Sequence, residues 1–263
     1  MKISIIHNLY RKNPYVNESV RYNLFALKEA KIDYQYILFN DKGDKEIFDD
    51  VKDIIEEEDN KIIYHYSDIN YGKGKGTGGW LGALSLVNGD IIHNFGQDDV
   101  FVSKFYSKAL ETFKNKNMMF FSCNGIRTDE NLNQQGPMIN LEYKPNYSYP
   151  LEIFKFWFGI NEKNQITRTN NGLLAPGTLY RTKLHDLIGK PSPSDFGGAC
   201  DFEYWSRILF YEHKGYYEPQ PYWLYRVSEL STSQQENDFK LNVEPNQKKI
   251  KEKYSLLWKE KMQ

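Results

Sequence analysis

The stretch Gly89-Asp90-Ile91-Ile92-His93-Asn94-Phe95-Gly96-Gln97-Asp98-Asp99 decides the fold predicted for this 263-residue chain. Residues 91–95 fit a short buried strand, and two adjacent carboxylates follow it almost at once. Carboxylates in such a place are costly to bury unless they bind something positive. A divalent cation shared between one or two carboxylates and the phosphates of a substrate is the usual partner. The stretch therefore predicts a strand whose end serves phosphate chemistry.

Strand and helix patterns alternate through the first hundred residues. Apolar runs predict strands at residues 2–7, 34–40, 61–65 and 91–95. Helical spacing predicts helices at residues 17–30, 44–57 and 80–87, the first with Asn17 or Ser19 as a possible N-cap. This alternation implies parallel strands with right-handed crossovers, whose ligands bind at the carboxyl ends of the strands. Asp41 and the Asp98-Asp99 pair are both predicted at such ends.

The second half of the chain has a less regular pattern. It predicts a strand at 118–123, a polar substrate-facing loop at 124–149, a polar connector at 231–246, and helices at 104–114, 181–187, 201–211 and 247–261. The apolar and aromatic run at 151–158 fits either an acceptor platform or a buried cluster. With 40% hydrophobic residues, the chain is long enough for one α/β domain, and it has no repeat or evident linker.

Charge and cysteine content exclude several classes of protein. The 34 basic and 35 acidic residues give a net charge of −1, so no nucleic-acid partner is expected. Cys123 and Cys200 lack the spacing of a metal or redox motif, which favours a reduced, cytoplasmic protein. No window is apolar enough for a transmembrane segment, although the lysine-rich C-terminus is compatible with peripheral contact with an anionic membrane.

A loop rich in glycine and lysine lies between the two acidic turns, at residues 70–80. Its glycines permit close approach of the backbone to a ligand, and Lys73 and Lys75 offset phosphate charge. The Walker pattern is absent, because no Gly-Lys pair is followed by Ser or Thr. The spacing of Gly74, Gly76 and Gly79 matches a dinucleotide fingerprint, which leaves an NAD-dependent oxidoreductase open as an alternative.

Short motifs follow one another in a fixed order along the chain. The first half has Ile3-Ser4-Ile5-Ile6, Asn40-Asp41-Lys42-Gly43, Asn70-Tyr71-Gly72, and Gly89-Asp90-Ile91-Ile92 leading into Gln97-Asp98-Asp99. The second half has Gly177-Thr178-Leu179-Tyr180-Arg181 with Ile188-Gly189, Asp201-Phe202-Glu203-Tyr204-Trp205-Ser206-Arg207, and Tyr225-Arg226 followed by Ser231 and Ser233. Over about residues 2–235 this ordered set resembles the family 2 glycosyltransferases. The resemblance implies an α/β glycosyltransferase-A-type fold, with a mostly parallel central sheet flanked by helices and an irregular acceptor-side half.

The resemblance assigns a role to each candidate residue on the donor side. Asp41 is expected to contact the nucleotide base, Asp98 to lie near the donor ribose or sugar, and Asp99 to carry Mn²⁺ or Mg²⁺. Gln97 lines the same acidic turn. The further candidates for binding the nucleotide-sugar donor are Asn70, Gly72, Lys73, Lys75 and Arg226, although Arg226 is equally compatible with an ordinary ion pair.

The general base is expected at the start of the helix predicted at residues 201–211. The resemblance places it at Asp201. Cys200 stands where the family usually has a glutamate beside this aspartate, which leaves Glu203 as a rival base. Because Cys200 replaces that glutamate, an alternative function also stays open, that of a catalytically inactive module that binds a nucleotide or a glycan.

The function that these assignments imply is hexosyl transfer by a metal-dependent, inverting single displacement. The donor is a nucleotide-diphosphate sugar, with a UDP-sugar favoured, and the acceptor is a hydroxyl of a glycan or lipid-linked glycan in polysaccharide biosynthesis. A cation offsets charge on the departing diphosphate, and a carboxylate removes the proton of the hydroxyl. We expect a single domain, with a nucleotide-sugar-binding half (1–102), an acceptor and catalytic half (103–235), and a C-terminal connector and helix (236–263).

Overall fold

A computed structural model describes residues 1–58, 61–72, 78–138, 149–167, 173, 175–229 and 239–263. Within these ranges a nine-stranded sheet forms the centre of the molecule. Its strands are β1 (Ile3–Leu9), β2 (Tyr34–Asn40), β3 (Ile62–Tyr66), β4 (Ile91–Phe95), β5 (Val100–Phe101), β6 (Phe120–Thr128), β7 (Gln134–Pro137), β8 (Thr178–Arg181) and β9 (Gly215–Arg226).

The strands follow the order β3-β2-β1-β4-β8-β6-β9-β5, with β7 paired to β6. The first four of these are parallel, as the alternating strand and helix pattern predicts. β8 runs antiparallel to both of its neighbours, whereas β9 is parallel to β6 and antiparallel to β5. The carboxyl ends of β2, β1 and β4 therefore meet at one edge, where the candidate donor residues are expected.

Helices cover both faces of the sheet. They are α1 (Val16–Glu29), α2 (Ile47–Glu57), α3 (Gly78–Ala83), α4 (Ser103–Lys114), α5 (Pro150–Phe158), α6 (Leu184–Ile188), α7 (Pro193–Phe196), α8 (Cys200–Phe210) and α9 (Glu244–Lys261). A 3₁₀ turn at Gly197–Ala199 precedes α8, and a π-helical turn at Phe239–Val243 precedes α9. None of the described helices is both long and apolar enough to cross a bilayer.

The hydrophobic core is divided by the sheet into two layers. Neighbouring residues of β1 point to opposite layers, Ile5 toward α1, α2 and α4, and Ile6 toward α3, α5, α8 and α9. Because both faces are covered, these strands are apolar at nearly every position, which is why they are easy to find in the sequence. The predicted α/β class, with a central sheet flanked by helices, is confirmed, and the division of the chain into halves stays a prediction.

Several predicted elements of the second half need correction. Residues 124–128 extend β6 and Gln134–Pro137 form β7, so much of the predicted loop at 124–149 is sheet, while 139–148 lie outside the described residues. Arg181 ends β8 through its pairing with Ile91, which limits the helix predicted at 181–187 to α6. The aromatic run at 151–158 is α5, and its Phe154 and Phe158 are buried against α8 and α9.

Three lysines of the C-terminal helix α9 bond to α7, to α8 and to the turn after α8. Lys249 donates to the Asp195 carbonyl at 2.8 Å, and Lys261 pairs with Glu212 at 2.6 Å. Lys253 reaches the buried Glu203 carboxylate at 2.6 Å. These bonds fasten α9 to α7 and α8, whereas contact between this helix and a membrane stays a prediction.

Candidate functional site

Asp41 lies at the end of β2 and fixes the turn that follows β3. Its side chain is 5% exposed, and its two carboxylate oxygens accept the N–H groups of Tyr71 at 2.8 Å and Gly72 at 3.0 Å. Burial raises the pKa of Asp41, and the two N–H groups oppose that rise. Asn70 belongs to the same turn and donates to the Tyr10 hydroxyl at 3.3 Å. Three predicted donor residues, Asp41, Asn70 and Gly72, are thus brought together.

The two ends of the glycine-rich loop are in close contact. A Cβ atom on Gly78 would lie 1.8 Å from the Gly72 nitrogen, so the chain that leaves Gly72 returns beside it. Lys73 and Lys75 lie outside the described residues, as do Gly74 and Gly76 of the apparent dinucleotide fingerprint. Gly79 of that fingerprint packs against Asn8, since a Cβ there would lie 2.6 Å from Asn8 Oδ1. Close packing accounts for this glycine without a dinucleotide.

Gln97 connects the acidic turn to the loop between β1 and α1. Its Oε1 accepts the Tyr10 N–H at 3.1 Å, and its Nε2 donates to the Arg11 carbonyl at 2.9 Å. Tyr10 is also the residue that Asn70 contacts. The turns after β1, β2, β3 and β4 therefore form one connected edge, with Gln97 as a structural member of it.

Asp99 is a buried carboxylate whose two oxygens differ in their contacts. Its side chain is 2% exposed, and Oδ2 accepts the Gly96 N–H at 3.1 Å. Oδ1 is buried and has no hydrogen-bond partner among the described residues. Burial first, and then the negative charge of Asp98, raise the pKa of Asp99 well above its ordinary value. Such an oxygen is costly unless a ligand or cation contacts it.

Asp98 and Asp99 are arranged around the same glycine. A Cβ atom on Gly96 would lie 3.3 Å from Asp99 Oδ2 and 3.8 Å from Asp98 Oδ1, and Asp98 is partly exposed. The described residues contain no group of three or more His, Cys, Asp or Glu side chains that could hold a metal. One or two carboxylates completed by phosphate oxygens suit Mg²⁺ or Mn²⁺, so the residues present fit a cation that arrives with a diphosphate.

Arg226 ends β9 beside this acidic turn and is 2% exposed. Its guanidinium donates to the Glu18 carboxylate and to the Glu130 carbonyl, and lies 4.3 Å from the centre of the Tyr15 ring. The positive charge of Arg226 also lowers the pKa of Asp99, so Arg226 is close enough to interact electrostatically with the acidic turn. Arg226 therefore joins α1, the turn after β6 and the acidic turn.

Asp201 lies in the first turn of α8 and is partly exposed. One of its oxygens accepts the neighbouring Phe202 N–H at 2.7 Å. Desolvation raises the pKa of Asp201 to about 6, against a weaker opposing effect of backbone N–H groups. A carboxylate with a pKa near neutrality suits proton transfer at physiological pH.

The rival base, Glu203, lies in a different environment on the same helix. It is 0% exposed and pairs with Arg207 and Lys253, both at 2.6 Å, while the Tyr254 hydroxyl donates to it at 3.2 Å. Cys200 is also 0% exposed and belongs to the core between the sheet and α8. Glu203 thus holds α8 to α9, and Asp201 is the more accessible acid.

Sequence reasoning missed two polar residues of α1 that contact the acidic turn. The predicted N-cap at Asn17 or Ser19 is wrong, because Tyr15 holds that position and both residues lie inside the helix. Ser19 and Asn23 are both 0% exposed and donate to the Asp99 carbonyl. Their spacing of four residues within an apolar helix face was the available signal.

Solved glycosyltransferase structures share this fold. The chain superposes on the mannosyltransferase PcManGT from Pyrobaculum calidifontis, in complex with GDP-Man and Mn²⁺, with a TM-score of 0.61 and 12% identity over 97% of this chain and 69% of that one. S. aureus TarS 1-349 in complex with UDP gives a TM-score of 0.53 and 17% identity over 87% and 61% of the two chains. The same fragment in complex with UDP-GlcNAc gives 0.54 and 16% over 88% and 60%.

The chain thus spans about three fifths of the TarS fragment. No family model matches the chain, and no curated protein sequence matches it either. At these identities the likeness shows the fold, which is that of the glycosyltransferase-A class.

Proposed function

We propose that the protein is a glycosyltransferase that moves a sugar from a nucleotide-diphosphate donor to a hydroxyl acceptor. The observation that carries the proposal is the buried Oδ1 of Asp99, beside Asp98 in the turn after β4, which has no hydrogen-bond partner in the part of the chain that the structure describes. A fold of the glycosyltransferase-A class supports it, because the acidic turn follows a central strand at the carboxyl edge of the sheet.

The donor is proposed to bind across the carboxyl ends of β1, β2 and β4. Asp41 and Asn70 would contact the nucleotide, since a carboxylate oxygen that accepts one N–H retains a second lone pair. Asp98 would face the ribose or sugar, and Lys73, Lys75 and Arg226 would offset the diphosphate charge. We favour a UDP-sugar. The TarS fragment was solved with UDP and UDP-GlcNAc and PcManGT with GDP-Man, so GDP-sugars are the first alternative to test.

Asp99 would hold Mn²⁺ or Mg²⁺ in the acidic turn, beside Asp98. The cation would supply Lewis-acid stabilisation of charge on the departing diphosphate. PcManGT, which has this fold, was solved with Mn²⁺. The protein side chains would then contribute one or two ligands, in keeping with the small number of acids gathered there.

Asp201 is proposed as the general base of an inverting single displacement. Its ionised carboxylate accepts the proton of the acceptor hydroxyl while the hydroxyl oxygen forms a bond to the anomeric carbon. The bond from that carbon to the diphosphate oxygen breaks on the opposite face, and the nucleoside diphosphate leaves. One base suffices for this chemistry, and the pKa of about 6 lets Asp201 be ionised at neutral pH.

The acceptor is proposed to be a glycan or lipid-linked glycan in polysaccharide biosynthesis, with the enzyme in the cytoplasm. A catalytically inactive module that binds nucleotide sugars is the second candidate. Cys200 favours it, because a buried thiol stands beside Asp201 where the resembling family has a second carboxylate.

Release of nucleoside diphosphate distinguishes these candidates. The purified protein is incubated with UDP- and GDP-sugars, with Mn²⁺ or with EDTA, and with a panel of glycan acceptors. We expect release that requires both metal and a matching donor, and a glycosylated product with inverted anomeric configuration. Donor binding without release for any acceptor would favour the binding module, and absence of nucleotide-sugar binding would contradict both.

A further inference from the structure

The buried face of α1 carries two polar residues among apolar ones. Val16, Val20, Leu24 and Leu27 pack into the core, whereas Ser19 and Asn23 are equally buried but bear hydrogen-bonding groups. Polar groups at 0% exposure need specific partners. Both side chains find them in the backbone that leaves the acidic turn.

Asn23 pairs with this backbone as a neighbouring strand would. Its Nδ2 donates to the Asp99 carbonyl at 3.0 Å, and its Oδ1 accepts the Phe101 N–H at 2.8 Å. Ser19 adds a second donor to the same carbonyl, at 2.6 Å from Oγ. A side-chain amide offers a donor and an acceptor in one plane, so it can substitute for a peptide group at a strand edge.

The opposite edge of this segment is held by the sheet. β5 pairs with β9 through Val100 and Leu224 and through Phe101 and Trp223. The segment that follows Asp99 is therefore fixed from both sides, by α1 and by β9. Since the Gly96 N–H also holds Asp99 Oδ2 at 3.1 Å, little freedom remains for the orientation of Oδ1, the oxygen that has no partner within the described ranges.

We propose that Asn23, assisted by Ser19, is a positioning residue that sets the Asp99 carboxylate for cation and diphosphate binding. The inference rests on the proposed function, because it takes Asp99 as the metal ligand. Asn23 acts through the backbone of Asp99 and does not reach the ligand itself. Loss of a group that orients a metal ligand typically weakens metal affinity by about 10- to 100-fold.

Asn17 supplies a matched control on the same helix. Its Nδ2 donates to the Asp50 carbonyl at 2.6 Å, so it also ties α1 to a distant backbone carbonyl. That bond leads to α2 and away from the acidic turn. Asn17→Ala therefore removes a bond of the same kind between α1 and the rest of the fold while the Asp99 segment keeps its contacts.

The test measures Mn²⁺ affinity in the presence of inorganic pyrophosphate, by water-proton relaxation enhancement, together with thermal stability. For Asn23→Ala we expect an Mn²⁺ affinity at least about tenfold weaker than in the unmodified protein. Asn17→Ala should stay within about twofold of it. Equal Mn²⁺ affinity in the Asn23 and Asn17 variants would overturn the inference, whatever their melting temperatures.

A milder variant guards against loss of folding. Ser19→Ala removes one of two donors to the Asp99 carbonyl, so a folded protein with several-fold weaker Mn²⁺ affinity supports the inference and unchanged affinity contradicts it.

The unmodified protein separates the two proposals. If it binds Mn²⁺ with pyrophosphate but the variants bind equally, the inference alone fails. If the unmodified protein binds no Mn²⁺, the proposed metal site at Asp99 is wrong, and the inference about Asn23 is wrong with it.

Discussion

Glu203 and Asp99 are two buried carboxylates in opposite surroundings. On α8, Glu203 faces the cations of Arg207 and Lys253 and the hydroxyl of Tyr254. At the end of β4, Asp99 has one backbone N–H, an acidic neighbour and an oxygen without a partner among the described residues. A buried charge that stabilises a fold needs compensation. The difference indicates that Glu203 serves stability, whereas Asp99 is left open for a ligand.

Asp201 resembles Asp99 in this respect, although it shares a helix with Glu203. It accepts the N–H of Phe202, and desolvation raises the pKa of Asp201 to about 6. Carboxylates with little compensation destabilise the folded state, and such costs are common at sites where activity and stability compete. The comparison therefore predicts opposite effects when the two kinds of acid are neutralised.

The largest effect is expected for Asp201→Asn, which keeps the size of the side chain and removes the base. Transfer should fall by about 10²- to 10⁴-fold, in the range usual for general bases. Donor affinity should stay within about twofold, because Asp201 acts on the acceptor hydroxyl. Initial rates of nucleoside diphosphate release and calorimetric titration with donor measure the two quantities, and near-normal turnover would remove Asp201 as the base.

Stability of the same variant tests whether Asp201 is uncompensated. Because its folded pKa is raised, the carboxyl favours the folded state below about pH 4, and that contribution is lost as pH rises through about 6. Asp201→Asn should therefore raise the free energy of unfolding by about 3 kcal/mol at pH 7.5 and leave it nearly unchanged close to pH 4. A destabilised variant at pH 7.5 would contradict the comparison.

Glu203→Gln should have the opposite effect on stability. It leaves Arg207 and Lys253 without their buried counter-charge, and breaking such a network costs about 3 kcal/mol or more. Urea denaturation measures the loss.

The matched control is Glu212→Gln. Glu212 also pairs with a lysine of α9, because Lys261 lies 2.6 Å away, but its side chain is 52% exposed. The control should lose less than about 1 kcal/mol. Equal losses would mean that burial does not distinguish the two pairs.

The pH dependence of transfer is a smaller effect. Asp201 must be ionised to accept a proton, and its pKa is raised to about 6, so the rate should rise with pH through that value. At saturating substrates the rate at pH 5 should be about one tenth of that at pH 7. A rate that stays level down to pH 4.5 would indicate a base with an ordinary carboxyl pKa.

The sequence predicts the first half of the fold well because β1, β2 and β4 are buried on both faces. Their runs are apolar throughout and alternate with amphipathic helices, so order and pairing follow from general rules. β9 escaped prediction, since Pro219 and Pro221 interrupt it and its register with β6 shifts near Asn124. Prolines are tolerated at such irregular places in a sheet, but they hide the strand in the sequence.

The candidate site likewise has one part that the sequence predicts and one part that it does not. Asp41 and the acidic turn are predictable because they directly follow apolar strands at one edge of the sheet. The choice between Asp201 and Glu203 depends on Lys253, which lies on another helix 50 residues away. The role proposed for Asn23 likewise depends on its hydrogen bond to the Asp99 carbonyl, which lies 76 residues away in the sequence. Local pattern contains no information on either contact.

Metal-dependent donor binding by the unmodified protein and by Asp99→Asn tests the central claim most directly. Thermal shift with UDP- and GDP-sugars is measured with Mn²⁺ and with EDTA, since a ligand that binds the folded state raises its stability. We predict a shift for the unmodified protein that requires Mn²⁺, and loss of that shift in Asp99→Asn, which should itself be at least as stable without ligand. An undiminished Mn²⁺-dependent shift in Asp99→Asn would contradict the account.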